Sequence, residues 1–263
     1  MFDRGNLIAW CFIPPFDNQP RTTADRIKML KELGFTKYVQ DWRPQNLPQL
    51  AEDIKAYQEN GIEMIALWFW MNGAEDGSLL DESNQAIIKI MRENNIQSDL
   101  WFAFNKTFFE GLSDDQKLEK AVKAVGELRN IAADLGGKIA MYNHMDWFGE
   151  PVNQVRIIKE LGVDDIGIIY NFHHGHHQIV NFKENLEMML PWLWTVNISG
   201  MIPDGPKIVP LGTGNKELEM LQILKDSPFK GTVGIIGHTE GVDIRPVLER
   251  NLAGLEDLKK KLK

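Results

Sequence analysis

Short apolar runs alternate with longer amphipathic runs along the whole chain. The apolar runs have the length of β-strands, and the amphipathic runs repeat apolar residues at the three- and four-residue spacing of helices. Eight runs are predicted to be strands: 7–13, 37–40, 63–70, 99–104, 138–142, 166–170, 193–198 and 232–236. Eight more are predicted to be helices: 24–33, 47–59, 82–94, 114–135, 151–161, 179–190, 216–225 and 244–262. One strand is therefore followed by one helix, eight times over.

Residues at the ends of the amphipathic runs support these boundaries. Thr22 or Thr23 and Ser113 stand where helix N-caps are expected, because a hydroxyl oxygen can accept a free backbone N–H of the first turn. Gly34 follows the first helix, where a left-handed residue ends many helices. Pro151 stands in the first turn of its helix, where a missing N–H costs nothing.

The order of the elements predicts the fold class. The strands are nearly continuous apolar runs, as expected when helices cover both faces of a parallel sheet. Eight strand–helix units in roughly 250 residues match a (β/α)8 barrel. The alternative, a doubly wound open sheet, usually carries a Gly-rich turn after its first strand, but here that position holds Pro14-Pro15-Phe16. We therefore predict an α/β protein with a single TIM-barrel domain over residues 1–263.

Composition narrows the classes of function. The chain has 43% hydrophobic and 25% charged residues, as ordinary globular proteins do. Its net charge of -8 argues against a nucleic-acid partner and gives no attraction to anionic membranes. No run approaches the roughly 20 apolar residues needed to span a bilayer. Cys11 is the one cysteine, so no internal disulfide can form, and its apolar neighbours favour a small buried side chain. The oligomeric state is left open.

The chain begins close to its first strand, with no basic segment followed by an apolar one. This favours the cytoplasm, although an exported protein without its leader would have the same sequence.

Polar and aromatic residues collect at the predicted carboxyl ends of the strands. In (β/α)8 barrels, functional sites are built from the loops at these ends. The opposite ends carry mainly short links, such as residues 34–36 and 61–62. The residues at the carboxyl ends are Asp17, 41–43, 68–72, 105–106, 143–144, 171–177, 197–199 and His238. This asymmetry predicts a functional pocket at the carboxyl end of the barrel.

Histidines are concentrated at the same end. Four of the chain's 6 histidines lie in residues 171–177, directly after the sixth strand, and His144 and His238 also follow strands. Imidazole changes charge near neutral pH and is the commonest metal ligand. Gly175 and the start of a helix argue against all four clustered imidazoles facing one centre. We expect the ring of His174 to lie close to those of His144 and His238. The alternative is that His144 and His238 are buried for structural reasons, with their hydrogen bonds satisfied inside the protein.

Other residues at the strand ends are predicted to bind a small carbohydrate. Trp70 could pack against the apolar face of a sugar ring. Asp41 and Arg43 could hydrogen-bond hydroxyl groups, although a structural salt bridge at the rim fits them equally well. The full predicted set is Asp41, Arg43, Trp70, Asn105, Asn143, Asn171, His173 and Asn197.

Three segments resemble motifs of one superfamily. Residues 138–144 (KIAMYNH) resemble the fifth-strand motif of xylose-isomerase-like barrels, the sugar phosphate isomerase/epimerase superfamily. Residues 167–174 resemble its sixth-strand motif, and residues 210–214 (PLGTG) resemble its Gly-x-Gly segment. The resemblance covers the chain in order and is most specific from Lys138 to His238. It implies a TIM barrel and an isomerase or epimerase of carbohydrate metabolism.

The resemblance also implies a divalent-ion site, whose usual ligands this chain lacks. Many members bind an ion through Glu, Asp, His and Glu, one from each of the last four strands, and the ion polarises a carbonyl while a carboxylate moves a proton. This chain has Tyr142, Asn171 and Asn197 in the first three places, and Gly237 or His238 in the fourth. Whether a divalent metal binds is left open, and the two Glu that usually act as acid and base are missing.

We therefore hypothesise that other residues form a site in place of the missing ligands. His144 and His174 match histidines that the resemblance places near the site, and Glu150 is the nearest replacement carboxylate. With His238 they would either hold a transition ion, which imidazole suits better than magnesium, or act as acid and base without metal. We therefore expect an enzyme of the isomerase or epimerase type, in which histidines abstract a proton at the barrel mouth.

Two other functions are compatible with the same barrel fold. In a non-catalytic carbohydrate-binding barrel, amides and Trp70 would hold a sugar, and the missing carboxylates would reflect lost catalysis. A DNA-repair enzyme of the endonuclease IV type is disfavoured by the net charge of -8 and by the same missing carboxylates.

Overall fold

The structure, a computed structural model, describes residues 1–74, 77–144 and 146–263. Within them eight parallel strands form a closed barrel in chain order, and β8 pairs with β1. The predicted (β/α)8 fold is therefore confirmed. The strands are β1 (Leu7–Trp10), β2 (Lys37–Gln40), β3 (Glu63–Met71), β4 (Asp99–Phe104), β5 (Ile139–Tyr142), β6 (Ile166–Asn171), β7 (Leu193–Ile198) and β8 (Thr232–Ile236).

Helices follow the strands and cover the outside of the barrel. In the described residues they are α1 (Thr23–Glu32), α2 (Leu50–Glu59), α3 (Glu82–Glu93), α4 (Asp114–Asp134), the single turn α5 (Asp146–Gly149), α6 (Pro151–Leu161), α7 (Phe182–Met189), α8 (Glu217–Asp226) and α9 (Ile244–Lys259). None of these helices combines the length and the apolar character needed to cross a membrane.

Local side-chain chemistry explains several of the helix starts. Thr22, rather than Thr23, caps α1 and forms a reciprocal capping box with Asp25. Ser113 forms the same arrangement with Gln116 at the start of α4. These caps satisfy N–H groups that have no partner inside a helix.

Several predicted boundaries were wrong. β1 ends before Cys11, because Cys11 takes a left-handed conformation with φ 57 that an extended strand does not allow. A 3₁₀-helix over Pro44–Gln49 precedes α2, and Pro48 within it has no N–H to donate to an α-helical bond. His176–Asn181 is likewise a 3₁₀-helix, so α7 begins only at Phe182.

A buried ion pair ties the loop after β1 to the loop after β8. The Asp17 side chain is fully buried, and its Oδ1 accepts a hydrogen bond from Arg21 Nη1 at 2.7 Å. Arg21 Nη2 reaches Asp243 Oδ1, also at 2.7 Å. The two loops joined in this way carry Phe16 and His238, whose rings lie 4.7 Å apart between centroids.

Arg21→Ala is expected to lower the free energy of unfolding by about 3 kcal/mol, because it leaves the Asp17 carboxylate buried and unpaired. Denaturation by urea at pH 7 measures the change. Lys28→Ala is the matched control, since its 4.0 Å pair with Glu32 is exposed and should contribute less than about 1 kcal/mol. Equal losses in the two variants would contradict the role of this ion pair.

Candidate functional site

A cavity of about 520 Å³ opens at the carboxyl end of the barrel. The ends of β1, β2, β3, β5, β6 and β8 all contribute to its lining. Six of its side chains carry carbocyclic or indole rings, namely Trp10, Phe16, Trp42, Trp68, Trp70 and Tyr142. Its polar side chains include Asp41, Arg43, Asn72, Ser83, His144, His174 and His238. We call this space the mouth cavity.

A larger groove of about 770 Å³ lies at the opposite end of the barrel, between the end of α2 and the link that follows α3. Its described lining contains neither an aromatic residue nor a histidine. The mouth cavity, where aromatic, charged and imidazole groups meet, is therefore the candidate site.

Tryptophan rings form one wall of the mouth cavity. The centroids of Trp10 and Trp68 are 5.8 Å apart, and those of Trp68 and Trp70 are 6.0 Å apart. Trp42 Nε1 donates a hydrogen bond to the carbonyl oxygen of Trp68 at 2.7 Å, which fixes a further indole in this wall. Such a wall offers a large apolar surface to a ligand, with few rotatable bonds to order.

Three strand ends bring four imidazoles together. The His174 ring lies 4.3 Å from His144 and 4.6 Å from His173, measured between centroids. His238 lies 4.8 Å from His173 and 6.4 Å from His174. Three of these rings line the mouth cavity, and His173 packs behind them.

The histidine run divides into two parts at Gly175. A Cβ at Gly175 would lie 2.1 Å from the hydroxyl oxygen of Tyr170, so only glycine fits at this turn. His176 lies beyond it and contacts the backbone carbonyl oxygen of Ile202 at 2.8 Å. His177 is exposed. Of this run, His174 is the residue that lines the mouth cavity.

Glu150 does not join the other candidate residues. It lies at the start of α6, where Oε1 is 2.7 Å from His177 Nε2 and Oε2 accepts a hydrogen bond from Gln178. It is not among the residues that line the mouth cavity. The structure therefore gives this carboxylate a partner outside the site.

The cavity imidazoles are neutral at pH 7. Burial, assisted by the neighbouring His173 and His238, lowers the pKa of His144 from 6.5 to about 4. Burial also lowers the pKa of His173 to about 4 and lowers the pKa values of His174 and His238. The cause is the loss of hydration that a charged ring would suffer in this apolar surrounding.

Asp41 and Arg43 form an ion pair at one side of the mouth cavity. Arg43 Nη1 donates to Asp41 Oδ1 at 2.7 Å, and the backbone N–H of Trp42 donates to the same oxygen at 2.8 Å. Burial raises the pKa of the Asp41 carboxyl, and the Arg43 guanidinium opposes this shift. Both side chains line the cavity, so the pair can contact a ligand as well as stabilise the rim.

The predicted amide ligands have partners within the protein. Asn143 is buried and exchanges two hydrogen bonds with the backbone of Asn171, at 2.8 and 3.0 Å. Asn105 Nδ2 donates to Asn72 at 3.1 Å and lies beside a second cavity of about 470 Å³. None of Asn105, Asn143, Asn171 and Asn197 is among the residues that line the mouth cavity.

Asn171 and Asn197 both point to the hydroxyl oxygen of Tyr142. Their Nδ2 atoms lie 2.6 and 3.0 Å from it, and Trp10 Nε1 donates to it at 2.9 Å. A divalent ion of the magnesium type is usually bound through at least one carboxylate together with neutral oxygen ligands. These positions hold a neutral phenol and two amides and no carboxylate, so they do not fit the ion that the resemblance implies. Within the described part of the chain, no group of three or more His, Cys, Asp or Glu side chains is arranged to hold a metal ion.

Several lining residues were not predicted from the sequence. Phe16, which stacks on His238, lies in a loop six positions beyond the end of β1, where no periodicity operates. Ser83 lies in the first turn of α3 rather than at a strand end. Trp42 lies between Asp41 and Arg43, and its position next to the predicted pair was the signal that could have identified it.

Comparison with models of protein families finds no match, and comparison with curated proteins finds none either. Solved structures do match. The probable 3-DHS dehydratase AsbF from Bacillus anthracis superposes with a TM-score of 0.72 at 14% identity, over 95% of this chain and 98% of that one. The 3-keto-D-glucoside 4-epimerase YcjR from E. coli gives 0.70 at 16% identity, over 97% and 99%.

A xylose isomerase-like TIM barrel protein from Mycobacterium smegmatis, in complex with magnesium, gives a TM-score of 0.60 at 14% identity, with both chains covered completely. At these identities the likeness concerns the fold. The chain therefore shares the TIM-barrel fold of these proteins.

Proposed function

We propose that this protein is an enzyme that moves a proton between carbon atoms of a small uncharged carbohydrate or polyol, as isomerases and epimerases do. The observation that carries the proposal is the meeting of His144, His174 and His238, from three strand ends, in one aromatic-walled cavity. The barrel it shares with a sugar epimerase and a probable dehydratase supports the same class of chemistry.

Neutral imidazoles can supply both halves of such a reaction. A base removes a proton from the carbon beside a carbonyl, and a donor stabilises the negative charge that develops on the carbonyl oxygen. His174 is the proposed base, because its ring lies near both other cavity imidazoles, 4.3 Å from His144 and 6.4 Å from His238 between centroids. An N–H of His144 or His238, on either side of it, would donate to the carbonyl oxygen. In an isomerisation, His174 returns the proton to the neighbouring carbon, while the donating imidazole protonates the carbonyl oxygen and takes up the proton of the adjacent hydroxyl group. In an epimerisation, a second imidazole supplies a proton to the same carbon from the opposite face, and His174 keeps the one it removed.

The charges around the mouth cavity indicate the class of substrate. Its described lining holds one carboxylate and one guanidinium, Asp41 and Arg43, which neutralise each other at 2.7 Å. The other lining side chains are uncharged at neutral pH. An uncharged ligand fits such a site best, with hydroxyl groups on the Asp41–Arg43 pair and its apolar face on the tryptophan wall.

Solvent-hydrogen exchange tests this function. Chelator-treated protein is incubated in D₂O with a panel of neutral aldoses, ketoses and keto-polyols, and mass spectrometry with NMR locates any deuterium. We expect deuterium at the carbon beside the carbonyl of at least one compound. No incorporation across the panel would contradict an enzyme of this type.

A non-catalytic carbohydrate-binding barrel is the second candidate, and one observation favours it. At three positions where the resemblance places metal ligands, the side chains of Tyr142, Asn171 and Asn197 form hydrogen bonds with one another. Quenching of tryptophan fluorescence by a sugar that shows no deuterium exchange would support this candidate instead.

Under either candidate, Trp70→Ala is expected to weaken sugar binding about tenfold, because it removes part of the apolar wall. Isothermal titration calorimetry measures the dissociation constant. Trp192→Ala is the matched control, since Trp192 is also partly buried but lies outside the mouth cavity. Equal weakening by both variants would indicate a general loss of structure and would contradict the assigned wall.

A further inference from the structure

Beneath the imidazoles, a buried hydrogen-bond network joins the ends of four strands. Its centre is the hydroxyl oxygen of Tyr142, at the end of β5, and its other members are Trp10 from β1, Asn171 from β6 and Asn197 from β7. The four residues are between 0% and 4% exposed. We call this the Tyr142 network.

The donors and acceptors of this network nearly balance. A phenol offers two lone pairs and one proton. Trp10 Nε1 and Asn171 Nδ2 occupy the lone pairs, at 2.9 and 2.6 Å, and the Asn197 amide lies on the remaining side at 3.0 Å. Asn197 Oδ1 is buried and has no partner in the described residues, and turning the amide by 180° places this oxygen where it accepts the phenol proton. The network is then satisfied at its centre without an ion.

The network packs closely against β8 on one side. A Cβ at Gly234 would lie 1.8 Å from the outer atom of the Asn197 amide, so this amide lies directly on the backbone of β8. Burial raises the pKa of the Tyr142 hydroxyl, which therefore stays neutral and offers a cation no charge. The N–H groups of Trp10 and Asn171 are directed at the hydroxyl oxygen of Tyr142 and occupy its lone pairs.

We propose that the Tyr142 network takes the structural place of the divalent ion, so that these strand ends bind no such ion and the cavity floor is held together by hydrogen bonds alone. Tyr142 is thus a positioning residue, which fixes the end of β5 from which His144 projects. This inference is independent of the proposed function, since an enzyme and a carbohydrate binder would need the same floor.

Titration of the full chain with Mn²⁺, followed by electron paramagnetic resonance, tests the first part of the proposal, that these strand ends bind no divalent ion. We expect no stoichiometric binding below about 1 mM, and no change in melting temperature on chelation. Stoichiometric binding that Asn171→Ala abolishes and His174→Ala does not would overturn the proposal.

Hydrogen exchange of indole N–H groups, observed by NMR, tests the second part of the proposal, that hydrogen bonds hold the cavity floor together. In Tyr142→Phe, the protection of Trp10 Nε1–H is expected to fall at least about tenfold, because its acceptor is gone. Trp42 Nε1–H, which donates to the Trp68 carbonyl oxygen, should keep its protection and shows that the variant is folded. Unchanged protection of Trp10 would overturn the network, and neither readout requires a substrate.

Discussion

His174→Ala is expected to reduce solvent-hydrogen exchange into the substrate at least about 100-fold, because removal of a positioned general base costs two to four orders of magnitude. His174 is the residue in the middle of the cluster, with His144 at 4.3 Å and His238 at 6.4 Å between ring centroids. Loss of a catalytic base should lower kcat with little change in the dissociation constant of the sugar. Exchange rates and calorimetric binding together measure both effects.

The matched control is His177→Ala. His177 belongs to the same run, but its side chain is 63% exposed and pairs with Glu150 outside the mouth cavity. Its replacement should leave the exchange rate within about twofold. A rate for His174→Ala within threefold of the parent would remove His174 from the proposed mechanism.

Acidification from pH 6.5 to pH 4 is expected to destabilise the fold by about 3 kcal/mol through the histidine cluster. Burial holds the pKa values of His144 and His173 at about 4 in the folded chain, against 6.5 for an ordinary histidine. In this window the unfolded chain therefore binds more protons than the folded one, and stability falls as pH falls. The contribution of these neutral histidines to the stability of the fold is complete above pH 6.5 and is lost as pH decreases toward 4. If both rings were completely buried, these two pKa shifts would lower the free energy of unfolding by more than this amount. Both rings are partly exposed, which reduces the effect.

Urea denaturation at pH 7, 6, 5 and 4 measures this dependence in the parent and in His144→Gln. We expect the free energy of unfolding of His144→Gln to depend less steeply on pH than that of the parent, because glutamine cannot take up a proton. His177→Gln, which removes an exposed imidazole, should keep the parent slope. Parallel slopes in all three proteins would show that the cluster titrates normally.

Much of the barrel could be predicted because its strands are buried on both faces. The ranges 37–40, 99–104, 193–198 and 232–236 are the same in the prediction and in the structure. Continuous apolar runs between polar links leave little freedom in placing such strands. The 3₁₀-helices before α2 and α7 were not predicted, because a few local hydrogen bonds decide between them and an α-helical turn.

The site was predictable only where strand ends fix a side chain. Asp41 directly follows β2 and His144 lies two positions after the end of β5, and both line the mouth cavity. The partners of polar side chains were beyond prediction, since pairs such as Tyr142 with Asn197 depend on contacts 55 positions apart. Glu150 shows the same limit, because its partners lie on the far side of the histidine run.

The pH dependence of deuterium exchange by chelator-treated protein tests the central claim, that neutral buried imidazoles transfer the proton. Because burial lowers the pKa values of the cavity histidines, the base stays unprotonated well below pH 6.5. We predict an exchange rate that changes less than about threefold from pH 8 to pH 5, with circular dichroism confirming the fold at each pH. An ordinary imidazole base, with a pKa of about 6.5, would lose roughly 30-fold by pH 5. A loss of that size, or a rate that appears only when a divalent ion is added, would contradict the account.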